Sequence, residues 1–203
     1  TTLPAPTTAP SAAPTTTEQA VTGSTVAPTS TVAPTTTVPD PVDRLATYAI
    51  GESVMLGAAP QLQAGGILVN AAVSRQGGNV AEVVGMLRAS GQLGRIVVIQ
   101  TGTNGGVSDE TLDRIMSYLP PDQTPLVVFL TVRAPRGWIA DNNIRIRQLP
   151  ARYPNVKVLD WEAESQQISG ELAKDGYHLR TTTAKQFYAN LIFDAIGRPD
   201  LKK

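Results

Sequence analysis

Short apolar runs alternate with segments of helical pattern along most of the chain. The runs are apolar at every position instead of every second one, which is typical of strands buried on both faces of a parallel sheet. These predicted strands cover residues 45–50, 67–72, 96–99, 126–130 and 156–159.

Apolar residues at helical spacing predict three helices among these strands. The first is expected to begin at Asn79, an N-cap with Glu82 three residues later. Ser108 is expected to cap the second, and the third begins near Thr183. Alternating strands and helices predict an open, doubly wound α/β domain: a three-layer sandwich with helices on both faces of a five-stranded, mostly parallel sheet.

The first 42 residues lack this pattern. They are dominated by Thr, Pro, Ala, Ser and Val and contain two charges, Glu18 and Asp40. Because a segment with so little to bury cannot offset the entropy of ordering itself, we predict a disordered stalk over residues 1–42. Its composition fits an O-glycosylated stalk or an unmodified linker. The folded domain is predicted to span residues 43–203.

Charge and cysteine content exclude several kinds of protein. The 203 residues include 17 basic and 17 acidic side chains, and removing the two acids of the stalk leaves a small positive excess on the domain. This balance gives no support for binding nucleic acid or an anionic membrane surface. Cysteine is absent, which excludes disulfides, thiol catalysis and thiolate zinc sites.

The beginning of the chain suggests a longer parent protein. Residue 1 is Thr, not Met, no signal peptide is visible, and no run of about 18 apolar residues occurs. We therefore expect an extracytoplasmic domain of the cell envelope, which the stalk tethers to an upstream membrane segment. Nothing in the sequence demands more than a monomer.

Polar residues gather where the predicted strands end, which is where open α/β sheets bind ligands. Ser53 follows the first strand, after Gly51 and Glu52. A serine at a strand-to-helix corner exposes its hydroxyl and has its N–H at a helix N-terminus, so it suits a nucleophile. The alternative is a helix cap, a common use of serine.

Three further residues offer partners to such a serine. His178, the one histidine of the chain, follows Asp175 by three residues. At this spacing the carboxylate can accept from Nδ1–H while Nε2 points outward, as in a Ser-His-Asp triad. Asn104 lies in a glycine-rich loop after the third strand, where its amide can donate to an oxyanion. The alternatives are an Asx turn at Asp175 and a plain turn at Asn104.

Ser, Asn and Asp-x-x-His in this order resemble the SGNH hydrolase superfamily, also called GDSL-type esterases. More narrowly, the chain resembles the extracytoplasmic SGNH-like domain fused to membrane acyltransferases that O-acetylate peptidoglycan or other cell-surface glycans. Blocks G-D-S-V-M-L-G-A, G-T-N-G and D-G-x-H-L of that subgroup are matched at residues 51–58, 102–105 and 175–179. The segment 132–138 and the Asp160-Trp161 pair are also similar. The resemblance covers about residues 45–196.

The resemblance implies a flavodoxin-like fold and a mechanism through an acyl-enzyme. Ser53 would attack an acyl carbonyl after His178 takes its proton, and Asp175 would orient and stabilise the imidazolium. This chemistry requires no metal and no organic cofactor.

The same resemblance implies roles around the triad. The oxyanion would face the N–H groups of Ser53 and Ser74 and the side chain of Asn104. Substrate contacts are expected in the same region, at Arg75, Gln76 and Trp138. Trp138 and Trp161 are both candidates for an aromatic sugar platform, with core packing as the alternative for each.

Two residues depart from the family pattern. Glu52 stands where the family has Asp. Two outcomes are open for its extra methylene: the longer side chain still satisfies nearby backbone donors, or it shifts the serine loop and lowers activity. Ser74 stands where the subgroup has Gly. Its backbone N–H is retained, but a positive φ there would be strained.

Three functions fit these residues. The resemblance favours transfer of an acyl group, expected to be acetyl, from an acyl donor to a cell-wall or cell-surface glycan, with a membrane acyltransferase upstream as partner. An extracytoplasmic carbohydrate or lipid esterase with the same triad is the alternative. A degenerate glycan-binding domain without catalysis, suggested by Glu52, is the second alternative.

Overall fold

The computed structural model describes residues 46–203, so the predicted stalk and the first three residues of the predicted domain lie outside the described residues. Within 46–203, five strands form one sheet in the order β2-β1-β3-β4-β5. Every neighbouring pair is parallel, which confirms the predicted α/β class. The strands are β1 Thr47–Gly51, β2 Leu68–Ala71, β3 Ile96–Gln100, β4 Leu126–Leu130 and β5 Val156–Leu159.

Helices connect these strands and cover the sheet. The strand order is the flavodoxin-like one, in which right-handed crossovers put helices on both faces. No helix within residues 46–203 is long and apolar enough to cross a membrane. The α-helices are α1 Ser53–Gly57, α2 Ala59–Ala64, α3 Gly77–Ala89, α4 Asp109–Ser117, α5 Ile139–Arg152, α6 Trp161–Glu164 and α7 Thr182–Ala195, with 3₁₀ turns at Ser165–Glu171 and Pro199–Leu201.

The core lies in two layers, one on each face of the sheet. Helices α1, α2 and α7 form the first layer, and helices α3, α4 and α5 form the second. Alternate residues of β3 serve the two layers: Val98 is buried against the first, and Val97 and Ile99 against the second. This double burial explains why the strands are apolar at every position.

The helix starts agree with the sequence in part. Ser108 caps α4 as predicted, since its hydroxyl accepts the N–H of Thr111 at 3.3 Å. The last helix begins at Thr182, one residue before its predicted start. The prediction of Asn79 as an N-cap is wrong: α3 begins at Gly77, and the Asn79 amide donates to Glu82 within the first turn.

Helix α5 has no counterpart among the predicted helices. Its sequence contains Asn142, Asn143 and Pro150, all of which lower helix propensity. The helix forms because Ile146 and Leu149 are buried in the second layer and both asparagines hydrogen-bond to neighbouring loops. Tertiary contacts here outweigh local preference.

Candidate active site

Ser53 is delivered to the carboxyl end of the sheet by a sharp turn after β1. It is the first residue of α1, and Glu52 occupies the N-cap position, so the serine is not the cap. A Cβ on Gly51 would lie 2.6 Å from the sulfur and 2.9 Å from the Cβ of Met55, so a larger residue would require the Met55 side chain or α1 to move. Glycine at this position therefore allows α1 to pack closely against the end of β1.

His178 links Ser53 to Asp175. Its Nε2 lies 2.8 Å from Ser53 Oγ, and its Nδ1 lies 2.7 Å from Asp175 Oδ2. The other carboxylate oxygen accepts the N–H groups of Tyr177 and His178, each at 3.1 Å. Thus the Asx turn and the carboxylate–histidine pair, alternatives at the level of sequence, occur together. These contacts have the connectivity of a Ser-His-Asp triad.

The electrostatics at Asp175 favour its ionised form. The loss of part of its hydration raises the pKa of Asp175, but the hydrogen bonds from the His178 ring and from the backbone N–H groups of His178 and Tyr177 outweigh that effect and leave the pKa below its ordinary value. A carboxylate that stays ionised near neutral pH can hold the imidazole in one tautomer and stabilise its protonated form.

The backbone around His178 is also fixed. Its carbonyl accepts the N–H of Ala173 at 2.8 Å, and the next residue, Leu179, pairs with Leu172 in an antiparallel bridge. The ring of Tyr177 lies 4.2 Å from the imidazole, between ring centroids. The histidine is thus held at its backbone, its ring face and both ring nitrogens.

Glu52 ties the nucleophile to the loop that carries Asn104. Its side chain is fully buried, and the two carboxylate oxygens accept the N–H groups of Gly102 at 2.8 Å and Thr103 at 2.9 Å. Burial raises the pKa of Glu52, and the hydrogen bonds from the backbone N–H groups of Gly102 and Thr103 oppose that rise in part. The longer side chain therefore reaches its donors. A reduced activity caused by Glu52 stays a prediction.

Two loops flank Ser53, because β2 and β3 are the neighbours of β1 on either side. Asn104, half-buried in the loop after β3, donates its amide to the carbonyl of Arg75 at 3.2 Å. Ser74, in the loop after β2, has a φ of 58°, the one positive value at a non-glycine residue among those described. The strained backbone expected at Ser74 is therefore present, and both oxyanion roles stay predictions.

The guanidinium of Arg75 contacts the protein. Nη1 donates to the carbonyls of Asn70 at 2.6 Å and Gly51 at 3.2 Å, and Nη2 donates to the Asn70 side chain at 2.7 Å. Burial lowers the pKa of Arg75, and the charge of Glu52 raises it in part. These bonds hold the ends of β1 and β2 together, and a contact between Arg75 and substrate stays a prediction.

Of the remaining residues predicted to contact the substrate or a sugar ring, two are exposed and one is buried. Gln76 is exposed at the N-cap of α3. Trp138 is 37% exposed, and its Nε1 lies 3.4 Å from the carbonyl of Thr103, beside Asn104. Trp161 is buried and packs edge-to-face on Tyr188, with ring centroids 4.9 Å apart. Trp161 is therefore a core residue, and Trp138 stays the candidate sugar platform.

Asn142 of α5 is a site residue that the sequence did not reveal. Its Nδ2 donates to the carbonyls of Gly102 at 2.8 Å and Gly105 at 2.9 Å, and its Oδ1 accepts the N–H of Val107 at 2.8 Å. Gly102 has a φ of 113°, and a Cβ there would lie 2.9 Å from the Asn142 amide. The asparagine thus shapes the glycine-rich loop, and no motif marked it because α5 itself was not predicted.

Similar bonds fix the loops after β4 and β5. Asn143 exchanges two hydrogen bonds of 2.8 Å with the backbone of Val132. Asp160 accepts the hydroxyl of Thr131 at 2.9 Å and pairs with Arg147. The Asp160-Trp161 pair of the sequence pattern is therefore part of the scaffold, as a helix cap and a core residue.

Comparison with known proteins finds relatives of this chain in sequence and in structure. The chain is 31% identical over 147 residues to peptidoglycan O-acetyltransferase OatA of Listeria monocytogenes. The aligned residues make up 71% of this chain and 23% of that protein. The chain therefore spans less than a quarter of that relative's length. No protein-family model matches the chain.

Two solved structures show the same fold. The C-terminal catalytic domain of Streptococcus pneumoniae peptidoglycan O-acetyltransferase A, with a methylsulfonyl adduct, has a TM-score of 0.68 and 23% identity, over 78% of this chain and 96% of that one. A GDSL-like lipase from Bacteroides thetaiotaomicron has a TM-score of 0.61 and 17% identity, over 76% and 89%.

Proposed function

We propose that this chain carries an SGNH hydrolase-type domain of the kind found in cell-surface O-acyltransferases, and that it is an enzyme that transfers an acetyl group to a hydroxyl of a cell-wall or cell-surface glycan. The observation that carries the proposal is the hydrogen-bond chain from Ser53 through His178 to Asp175 at the carboxyl end of the sheet. The peptidoglycan O-acetyltransferase related in sequence supports acetyl as the group and a glycan as the acceptor.

Acylation begins with the proton of Ser53. Because Asp175 accepts Nδ1–H, Nε2 of His178 is free to take the hydroxyl proton while Oγ bonds to the acyl carbon of the donor. The tetrahedral intermediate then collapses, the bond to the leaving group breaks, and the imidazolium returns the proton to that group. The ionised Asp175 stabilises the imidazolium between the two steps.

The oxyanion of the intermediate is expected to face three donors. The N–H of Ser53 belongs to the first turn of α1, where backbone N–H groups have no partner within the helix. The N–H of Ser74 and the amide of Asn104 come from the two flanking loops. Donors fixed before the reaction stabilise developing charge without reorganisation.

Deacylation decides between transfer and hydrolysis. A sugar hydroxyl gives its proton to His178 and attacks the acyl carbon. The bond from that carbon to Ser53 Oγ then breaks, the new ester leaves, and His178 returns the proton to Oγ. Trp138, exposed beside the Asn104 loop, offers an aromatic face for the sugar ring. Water in the same position would release acetate, so a carbohydrate or lipid esterase is the second candidate. The intact hydrogen-bond chain argues against a binding domain without catalysis.

We further propose that the domain works outside the cytoplasm, at the cell envelope. The Listeria relative is named a peptidoglycan O-acetyltransferase, which supports this location, and the chain matches a minor part of that longer protein. In this proposal the Thr/Pro-rich segment is a tether, and a membrane acyltransferase domain upstream supplies the acyl donor. The domain acts as a monomer.

The first experiment tests the nucleophile. The full chain is incubated with p-nitrophenyl acetate, and release of p-nitrophenol is measured for wild type, Ser53→Ala and His178→Ala. Ser117→Ala is the matched control, since Ser117 is an exposed serine at the end of α4. We expect both site variants to lose release and the control to keep it. Equal release by Ser53→Ala would contradict the proposal.

The second experiment separates transfer from hydrolysis. Chito-oligosaccharide is added to the wild-type reaction, and products are identified by mass spectrometry. We expect an acetylated oligosaccharide that is absent with Ser53→Ala. Free acetate with no acetylated sugar would favour the esterase.

A further inference from the structure

Helix α1 begins without a cap from its own N-cap residue. Side chains at this position usually accept an N–H from the first turn, but Glu52 makes no such bond. Its carboxylate is used on Gly102 and Thr103 instead. A helix of five residues is not stable by itself, so the direction of Ser53 depends on contacts from outside the helix.

Gln100 supplies the missing acceptor from the neighbouring strand. Its Oε1 accepts the N–H of Met55, the third residue of α1, at 3.1 Å. Gln100 is fully buried as the last residue of β3, on the face that Val98 presents to the α1 layer. The acceptor occupies the position that an N-cap side chain normally fills, although it lies 45 residues away in sequence.

Two sets of hydrogen bonds join residues 52–55 to residues 100–103, with one acceptor side chain on each segment. Glu52, one residue before the nucleophile, bonds to residues 102–103, and Gln100 bonds back to α1. Ser53 lies on one of these segments, and Asn104 directly follows the other. The pair of bonds therefore fixes the predicted nucleophile relative to the predicted oxyanion donor.

Stability alone does not favour a glutamine here. The Nε2 of Gln100 is buried and has no hydrogen-bond partner among the described residues. An unpaired buried donor is unfavourable, and an apolar side chain of similar size would avoid it. The amide is neutral, so it adds no second negative charge beside the buried Glu52 carboxyl. The bond to Met55 is the one protein contact among the described residues that requires its polar group.

We propose that Gln100 is a positioning residue of the reaction, a remote cap of α1 that keeps Ser53 Oγ directed at His178 and, together with Glu52, in register with Asn104. The inference rests on the proposed function, in which Ser53 is the nucleophile. Gln100 touches neither the substrate nor the reacting atoms.

The test replaces Gln100 with one side chain that has no acceptor and one whose acceptor is too short to reach the Met55 N–H. Gln100→Met keeps the length and removes the acceptor, and Gln100→Asn keeps the amide but shortens it by one methylene. With p-nitrophenyl acetate and the full chain, we expect kcat to fall about tenfold to a hundredfold in both, as for small misplacements of a reacting group. KM should stay within about twofold of wild type, and inactivation by a sulfonyl fluoride should slow in parallel with kcat.

Asn155→Leu provides the matched control. Asn155 is a buried amide that bonds to two backbone carbonyls at the opposite end of the sheet. Its loss should lower the melting temperature but leave kcat unchanged, which separates positioning from general stability. Wild-type kcat in both Gln100 variants, with Ser53→Ala inactive, would overturn the inference and leave the proposed function standing. Activity retained by Ser53→Ala would overturn both.

Discussion

The two ends of the sheet are fastened by the same device, a buried amide that bonds to backbone carbonyls of a loop. At the amino end, Asn155 donates to the carbonyls of Leu119 at 3.0 Å and Thr124 at 2.8 Å. At the carboxyl end, Asn142 donates to the carbonyls of Gly102 and Gly105. Each amide replaces water as the partner of groups that the fold removes from solvent.

The two ends differ in the polar side chains that these amide hydrogen bonds do not involve. The carboxyl end keeps Ser53, Asn104 and His178 partly exposed and also contains the strained backbone of Ser74. At the amino end, the guanidinium of Arg88 donates hydrogen bonds to the carbonyl of Tyr118 and to the side chains of Gln123 and Thr124. Buried amides therefore fasten loops at both ends, and the carboxyl end differs because it carries the serine, the histidine and the carboxylate of the candidate triad.

Asp175→Asn is expected to have the largest effect on activity, at the carboxyl end of the sheet. The amide cannot hold the imidazole in the tautomer that takes the serine proton, so kcat should fall on the order of 10⁴-fold. Because Asp175 is exposed and the amide oxygen of asparagine can still accept the two backbone N–H groups, the free energy of unfolding should fall by no more than about 1 kcal/mol. Kinetics on an aryl acetate and urea unfolding measure the two effects. A loss of activity below tenfold would argue against the triad.

Asn142→Ala and Asn155→Ala compare the two ends directly. Each removes a buried amide and leaves backbone groups unpaired, so each should cost about 2–3 kcal/mol of stability. Only Asn142→Ala frees the loop that carries Asn104, and its kcat should fall about tenfold to a hundredfold. Urea unfolding and steady-state kinetics on both variants test this. Equal effects of the two variants on kcat would remove the distinction between the ends.

Glu52→Gln examines the link between Ser53 and the Asn104 loop. The new amide has one oxygen and one NH₂ group, so one of the N–H groups of Gly102 and Thr103 would face a donor. We expect kcat to fall about tenfold and stability to fall by about 1–2 kcal/mol near pH 4, where both proteins are uncharged at this position. Kinetics and urea unfolding measure both effects, and unchanged kcat would exclude Glu52 from positioning the site.

The pH dependence of Glu52→Gln has a defined sign. Burial raises the pKa of Glu52 in the folded protein above its ordinary value. The folded state therefore binds the proton more tightly than the unfolded state, and the contribution to stability is full below the unfolded pKa and is lost as pH rises through the folded pKa. The stability advantage of wild type over Glu52→Gln should shrink from about pH 4 upward. An advantage that grows with pH would contradict the raised pKa.

Ser74→Gly should have the smallest effect. Glycine adopts the positive φ without strain, and its greater freedom in the unfolded chain offsets part of that gain, so stability should rise by about 0.5–1 kcal/mol. The backbone N–H is kept, and kcat should stay within about twofold. Thermal unfolding and kinetics check both values. A large loss of kcat would show that the serine hydroxyl itself takes part.

The strands, the sheet class and the Ser108 cap could be predicted because they depend on local pattern. The spacing of Asp175 and His178 also predicted a contact, since both lie in one turn. Asn142 and Gln100 could not be found in this way. Their partners lie 35 to 45 residues away, and an isolated buried amide has no sequence signature. Helix α5 was missed because its packing, and not its propensity, makes it helical.

The proposed function requires Ser53 to carry the acyl group between donor and acceptor. The most direct measurement is rapid quenching of the full chain with p-nitrophenyl acetate, followed by peptide mass spectrometry. We expect one acetyl group on the peptide that contains Ser53 and none in Ser53→Ala. The acetyl group should be lost when chito-oligosaccharide is added and acetylated sugar forms. Acetylated sugar formed by Ser53→Ala at the wild-type rate would contradict this role of Ser53.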